Sequence, residues 1–185
     1  LSMLLVTASL PGLIVGALIE LLIGNGLREP WIVGTTLIVG GIAIWIFDAL
    51  GKQTRQLPDI NAPRALLIGL AQAIALVPGI SRSGATIAAG RALNLERSVA
   101  ARFSFLISAP IVLGASAALL GNAIITHENV NWGPLLFGAL VAAATSLAVI
   151  RGLLTFIQSH SLRLFAWYRL LVGTAVIISV WAGAL

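Results

Sequence analysis

The chain holds no cysteine, one methionine, one tyrosine and two histidines among 185 residues. Without cysteine, disulfides and thiolate metal sites are excluded. His127 and His160 stand far apart, which argues against a histidine-based metal site. Charge is equally scarce. Charged residues make up 9% of the sequence, where soluble domains carry about 25%. No aromatic-studded basic patch of the kind RNA binders use is present, so nucleic acid is not an expected partner. No short basic stretch precedes the opening apolar run, as a signal peptide would require. The sequence starts at Leu1, and the simplest account is a piece of a longer polypeptide.

What fills the space is apolar: 59% hydrophobic residues and a mean hydropathy of +1.05. This composition reads as an all-α polytopic membrane protein forming a single membrane domain over 1–185. The net charge of +5, from 11 basic and 6 acidic residues, then speaks to orientation. Leu4 to Ile23 is a first span, kinked by Pro11, with Gly12 and Gly16 spaced for close helix contact. Glu20 inside it is read as snorkelling to an interface. After a polar connection from Gly24 to Pro30, Trp31 to Leu50 is a second span, anchored by Trp31. Asp48 near its far end is expected to be hydrated. Residues 51–63 read as a polar surface loop. Residues 64–95 are two short apolar pieces around a polar break, each too short to cross, which predicts a re-entrant hairpin. Residues 96–185 supply three more spans: Phe103 to Ile125, kinked by Pro110, then Trp132 to Leu153, then Leu164 to Leu185. Glu96 to Arg102 is expected to be a charged turn, and Arg151 to Arg163 an amphipathic connector. Arg169, about a turn into the last span, is read as snorkelling ahead of lining a site. The architecture is thus about five transmembrane helices plus one re-entrant hairpin. If the hairpin enters and leaves on one face, that face holds Lys52, Arg55, Arg64, Arg91, Arg97, Arg102, Arg151 and Arg163. The opposite loops hold only Arg28, so the first face is expected to be cytoplasmic.

The polar break, Val77 to Thr86, reads V-P-G-I-S-R-S-G-A-T. It concentrates three hydroxyls, a guanidinium, two glycines and a proline in ten residues. Irregular backbone at membrane depth is tolerated only where protein or a watery cavity surrounds it, and an ionisable group there is functional by default. Pro78 and Gly79 break the incoming helix. Ser81 or Ser83 can cap the helix restarting toward Asn94. Free amides at that start attract phosphate, and Arg82 adds a fork for two phosphate oxygens. Ser81, Ser83 and Thr86 offer hydroxyls that could donate to a phosphate or attack it. The plain alternative is a softened kink whose arginine pairs locally, with Thr86 back-bonded to a helix carbonyl.

The string L-x-P-G-x-S-R-S-G-A-T, Leu76 to Thr86, resembles the signature of the bacterial undecaprenyl-diphosphate phosphatase family. The similarity continues through A-R-F-S-F-L-I-S-A-P-I-V-L-G, Ala101 to Gly114, and Tyr168-Arg169 and Gly173 fit that family's last helix. Residues 69–114 carry the specific likeness; the rest matches in hydropathy and order. The resemblance implies a fold of two inverted repeats, each with a re-entrant pair, in the bacterial plasma membrane. It implies hydrolysis of the C55 isoprenoid diphosphate to the monophosphate, which recycles the lipid carrier for cell-wall polymers. It places the catalytic role on Ser81, Arg82, Ser83 and Thr86, with Pro78, Gly79 and Gly84 shaping the loop around the substrate. One departure stands out. The family's first repeat carries E-x-x-x-E followed by P-x-S-S-x-G-H, and neither is present here. Glu20 lacks a carboxylate four residues away, and neither histidine has that context. A divalent cation, Mg or Ca, would find its ligands in that missing part. A shortened chain, a second polypeptide or homodimeric partner supplying that half, and a degenerate member all fit. Non-catalytic binding of a lipid diphosphate, or lipid transport on the same fold, are the competing functions.

Overall fold

The computed structural model describes residues 1–22, 29–127 and 130–184. Arg28, the side chain of Glu20 and the connection at 24–28, all read above, lie outside the described residues. Seven α-helices follow one another: α1 Ser2–Leu22, α2 Pro30–Leu50, α3 Ala62–Ile74, α4 Arg82–Ala92, α5 Arg97–Ile125, α6 Trp132–Ser159 and α7 Arg163–Trp181. Among the described residues there is no strand, only one isolated bridge between Arg55 and Leu95. Four helices, α2, α5, α6 and α7, are long and apolar enough to cross a membrane, while Ser2–Gly16 of α1 and all of α3 are shorter apolar stretches. The protein is an all-α, multi-pass membrane protein. Pro11 and Pro110 lie inside α1 and α5, and both helices run on through them.

Two expected boundaries move. Glu96 to Arg102 is not a charged turn, because α5 already starts at Arg97. No glycine or proline interrupts that segment, and Arg97 finds an acidic partner on α2 that lets its charge stay inside the helix. The amphipathic connector also shrinks. α6 continues to Ser159, leaving only a turn at 160–162 before α7. The polar loop is more ordered than a surface loop requires: the amides of Thr54 and Arg55 both donate to the Asn94 carbonyl, and Glu96 N donates to the Arg55 carbonyl.

That ladder shows where the hairpin's two ends lie. α3 begins just after the loop, with the Asn61 side chain accepting from the Arg64 amide at 3.2 Å. α4 ends beside the same loop, where Asn94 turns at a φ of 63°. With 13 and 11 residues, the two helices reach only about 20 and 16 Å at 1.5 Å per residue. Neither alone spans a hydrocarbon core of about 30 Å, so the pair enters and leaves on one side. Small residues let it sit tightly. A Cβ on Gly69 of α3 would overlap the Ala8 carbonyl of α1, and one on Gly90 of α4 would come within 2.8 Å of the Ala100 Cβ on α5. The same device closes α2 on α7, where a Cβ on Gly173 would meet the Gly34 carbonyl oxygen at 2.8 Å. Without a hydrophobic force between helices in lipid, such close approach is what holds them. The buried core lies at the foot of the hairpin, around Ala65, Ile68, Leu95, Ala101, Phe103 and Ile107.

Asp48 corrects another expectation. It is not hydrated but 3% exposed. Its Oδ1 accepts from Arg91 Nε at 3.0 Å and from Arg97 Nε at 2.7 Å. Its Oδ2 accepts from Arg97 Nη2 at 3.2 Å and from the Leu162 amide at 3.0 Å. Arg91, fully buried, spends its remaining donors on the carbonyls of Asp48, Gly51 and Leu95. One carboxylate therefore ties the ends of α2 and α4 to the starts of α5 and α7. A buried charge survives only when paired and hydrogen-bonded throughout, and this one is. Removing it strands two guanidinium groups. Asp48→Ala is expected to cost about 3–5 kcal/mol, read as a lower midpoint of thermal unfolding in detergent. An unchanged midpoint would show that the cluster holds nothing together.

Candidate functional site

The break between α3 and α4 follows from backbone chemistry. Pro78 has no N–H to give a helix. Gly79 turns at a φ of +92°, and a Cβ there would overlap Thr36 Oγ1 and lie 2.6 Å from the Val33 carbonyl oxygen. Ser81 follows at a φ of 68° and a ψ of 110°, a conformation that costs an L-residue of the order of 1–3 kcal/mol and persists only where its surroundings impose it. Such outliers concentrate at functional sites.

Carbonyls freed by the break need donors. Thr36 Oγ1 lies 2.6 Å from the Pro78 carbonyl oxygen, nearer than the two α2 carbonyls also within its reach. Arg169 Nη2 donates to the Gly79 carbonyl at 2.9 Å and to that of Thr36 at 3.4 Å. Arg169 therefore does not snorkel. It is 6% exposed, and its guanidinium is turned inward onto the tip. The contact with Thr36 also fixes the depth. Thr36 is fourteen residues before the end of α2 at Leu50, about 21 Å along the helix. The tip thus sits beyond the middle of the hydrocarbon core, as seen from the face that carries Lys52, Arg55 and Arg64.

Ser81, of the two serines considered, is the cap: its Oγ accepts from the Gly84 amide at 3.2 Å, while its carbonyl accepts the first helical bond from Ala85. The amides of Arg82 and Ser83 have no acceptor among the described residues. Arg82 itself is half-buried, and its guanidinium has no partner among them either. Two free amides and a free guanidinium at a helix start form a ready seat for an anion.

The remaining expected residues divide between two flanks of α4. On one, Thr86 is 1% exposed and back-bonds to the Arg82 carbonyl at 2.9 Å. Its oxygen also lies 2.6 Å from Ser104 Oγ, which supplies the proton there because Thr86 has given its own to the carbonyl. Thr86 thus braces the first turn against α5. On the other flank Ser81, Ser83 and Gly84 line a cavity of ≈ 240 Å³. Its opposite wall comes from Ile44 of α2, Ile157 of α6, and Phe165 and Arg169 of α7. Among the described residues no three His, Cys, Asp or Glu side chains gather as a metal site would need.

Three contributors escape a reading of the sequence. Thr36 gives no signal at all, being one of two adjacent threonines in an apolar span. Asp48 and Arg91 do give one, as lone charges in apolar helices, but their pairing across 43 positions is visible only in three dimensions.

The chain can now be compared with known proteins. It is 38% identical over 186 residues to an undecaprenyl-diphosphatase of Renibacterium salmoninarum, covering 98% of this chain and 66% of that protein. It is 42% identical over 174 residues to an undecaprenyl-diphosphatase of Pelotomaculum thermopropionicum, covering 94% and 65%. A third, from Gemmatimonas aurantiaca, is 42% identical over 172 residues, covering 93% and 64%. The chain spans about two thirds of the length of these relatives. The family described as Bacitracin resistance protein BacA matches residues 1–175. With α1 to α6, the hairpin and the signature all in that matched stretch, the chain belongs to the bacitracin resistance protein BacA family.

Proposed function

We propose that this chain is the phosphate-binding half of an enzyme that hydrolyses undecaprenyl diphosphate to undecaprenyl phosphate and phosphate, in the bacterial plasma membrane. The observation that carries the reading is the start of α4: unpaired amides of Arg82 and Ser83, and an unpaired Arg82 guanidinium, at membrane depth. A diphosphate arriving there finds donors already in place, which costs no reorganisation as charge grows in the transition state. Attack by a water on the terminal phosphorus, or by a serine hydroxyl whose phosphoester a water then hydrolyses, breaks its bond to the bridging oxygen and frees phosphate. The prenyl monophosphate leaves with that oxygen. Among the described residues no three His, Cys, Asp or Glu side chains gather to hold a cation. A proton acceptor, and carboxylates for any Mg or Ca, belong in our reading to the part of the relatives that this chain does not match. With the basic face cytoplasmic, the tip lies nearer the outer side, and the headgroup docks from there.

The reading is tested by phosphate release from a short-chain prenyl diphosphate in proteoliposomes. Residues 1–185 alone are expected to release little phosphate. Joined to the portion of the Pelotomaculum thermopropionicum relative that the chain does not match, they are expected to turn over. Full turnover by residues 1–185 alone would contradict the division into halves. Binding without turnover in the joined protein would favour a non-catalytic binder, and lipid movement between leaflets without phosphate release would favour a carrier.

In an active complete protein, Arg82→Lys keeps the charge and loses the fork. A loss of roughly a hundredfold in kcat/KM, about 3 kcal/mol, is expected. Gly79→Ala forces a side chain into Thr36 and is expected to abolish turnover while the Asp48 cluster, at the other end of the hairpin, keeps the protein folded in detergent. Near-normal rates in both variants would remove the tip from the mechanism.

A further inference from the structure

We propose that the cavity on the Ser83 flank of α4 is a subsite for the ester phosphate and the first isoprene units of the lipid, with Arg169 as its cation. The proposal rests on the functional reading above and assigns a specificity-determining role within it.

Arg169 is the anomaly that points there. It is 6% exposed, and its Nε is buried without an acceptor among the described residues. Its Nη2 serves the carbonyls of Gly79 and Thr36, but carbonyl dipoles do not neutralise a guanidinium. Among the described carboxylates, Asp48 is held by Arg91 and Arg97, Asp59 by the Gln56 amide and Glu96 by the Gln56 side chain, and Glu29 is exposed at the start of α2. A buried cation with no counter-ion is costly, and the cavity beside it is where an anion would relieve that cost.

The cavity's chemistry suits one end of an amphiphile. Its hairpin edge carries Ser81 and Ser83, and Arg169 is part of its lining. Most of the rest is hydrocarbon, from Ile44, Ile87, Leu153 and Ile157, with Tyr168 adding a phenol. An apolar cavity of about 150 Å³ holds benzene, six carbons. By that measure a cavity of ≈ 240 Å³ takes roughly ten carbons, two isoprene units. The rest of a long prenyl chain would remain in lipid.

The helix geometry joins this subsite to the tip. At about 100° per residue, Ser83 and Ile87 lie roughly 100° and 140° round α4 from Arg82, so they face a different flank. A diphosphate straddling the helix start would set its terminal phosphate on the Arg82 side and its ester phosphate on the Ser83 and Arg169 side. Two cations would then divide two phosphates, and the hydrocarbon would be aimed into the apolar wall adjoining the second.

The test uses the complete protein in detergent and calorimetric titration with geranyl monophosphate, geraniol and inorganic phosphate. Geranyl monophosphate is expected to bind at least tenfold more tightly than either of the others. Leu153→Trp, which fills the cavity from α6, is expected to weaken geranyl monophosphate at least tenfold and leave inorganic phosphate unchanged. Arg169→Lys is the second variant, should the first not fold; it is expected to weaken geranyl monophosphate tenfold and leave geraniol unchanged. Equal affinity of the wild type for geraniol and geranyl monophosphate would overturn the role of Arg169. Undiminished binding in Leu153→Trp, with wild-type prenyl diphosphate turnover intact, would overturn the subsite and spare the functional reading. A complete protein that neither binds nor hydrolyses any prenyl phosphate would overturn both.

Discussion

A chain that stops being helical inside a membrane must find donors for the carbonyls it frees, and no water is there to supply them. Here the answer is a threonine on α2 and an arginine on α7, which cover the carbonyls of Pro78 and Gly79. Everything at the site depends on that. With the incoming strand of the break satisfied by α2 and α7, the outgoing side can leave the amides of Arg82 and Ser83 unspent. The asymmetry is a property of the hairpin: acceptors are covered, and donors are left open at a helix start, where an anion can be seated.

The second constraint lies at the opposite end of the same hairpin. A single carboxylate, Asp48, gathers Arg91 and Arg97 and the last amide of the turn before α7. It fixes where α4 ends, as Thr36 and Arg169 fix where it begins. An eleven-residue helix pinned at both ends has little freedom to tilt or slide. Because α2 and α7 hold both ends and pack together through Gly34, Gly41 and Gly173, tip and foot are positioned by one rigid pair. Small residues are thus spread through the chain for one purpose, to bring helices close enough for these polar ties to reach.

Much of this was legible in the sequence. Hydropathy gave the helices, and the shortness of the apolar pieces around Val77 to Thr86 gave the hairpin. The Pro78-Gly79 break and a cap at Ser81 or Ser83 follow from backbone rules, and the fold selects Ser81. The misjudgements share one cause. Asp48 and Arg169 were read by their distance from a helix end, as charges able to reach water. Whether they do depends on which helix lies alongside, and the α2–α7 pairing joins residues more than a hundred positions apart. Thr86 shows the same limit. Its hydroxyl belongs to the motif, yet it is spent on the Arg82 carbonyl and buried against Ser104 of α5. The start of α5 moves for a related reason: Arg97 looks like an end signal until the buried Asp48 receives it.

The central claim is that the start of α4 receives phosphate. Its most direct measurement is amide NMR of the complete protein in detergent, titrated with a non-hydrolysable methylene-bridged prenyl diphosphate. The account predicts saturable shifts at the amides of Arg82 and Ser83, with Gly121 and Gly138 on α5 and α6 unmoved. Shifts confined to the basic loop around Lys52 and Arg55, with the tip silent at saturation, would contradict it.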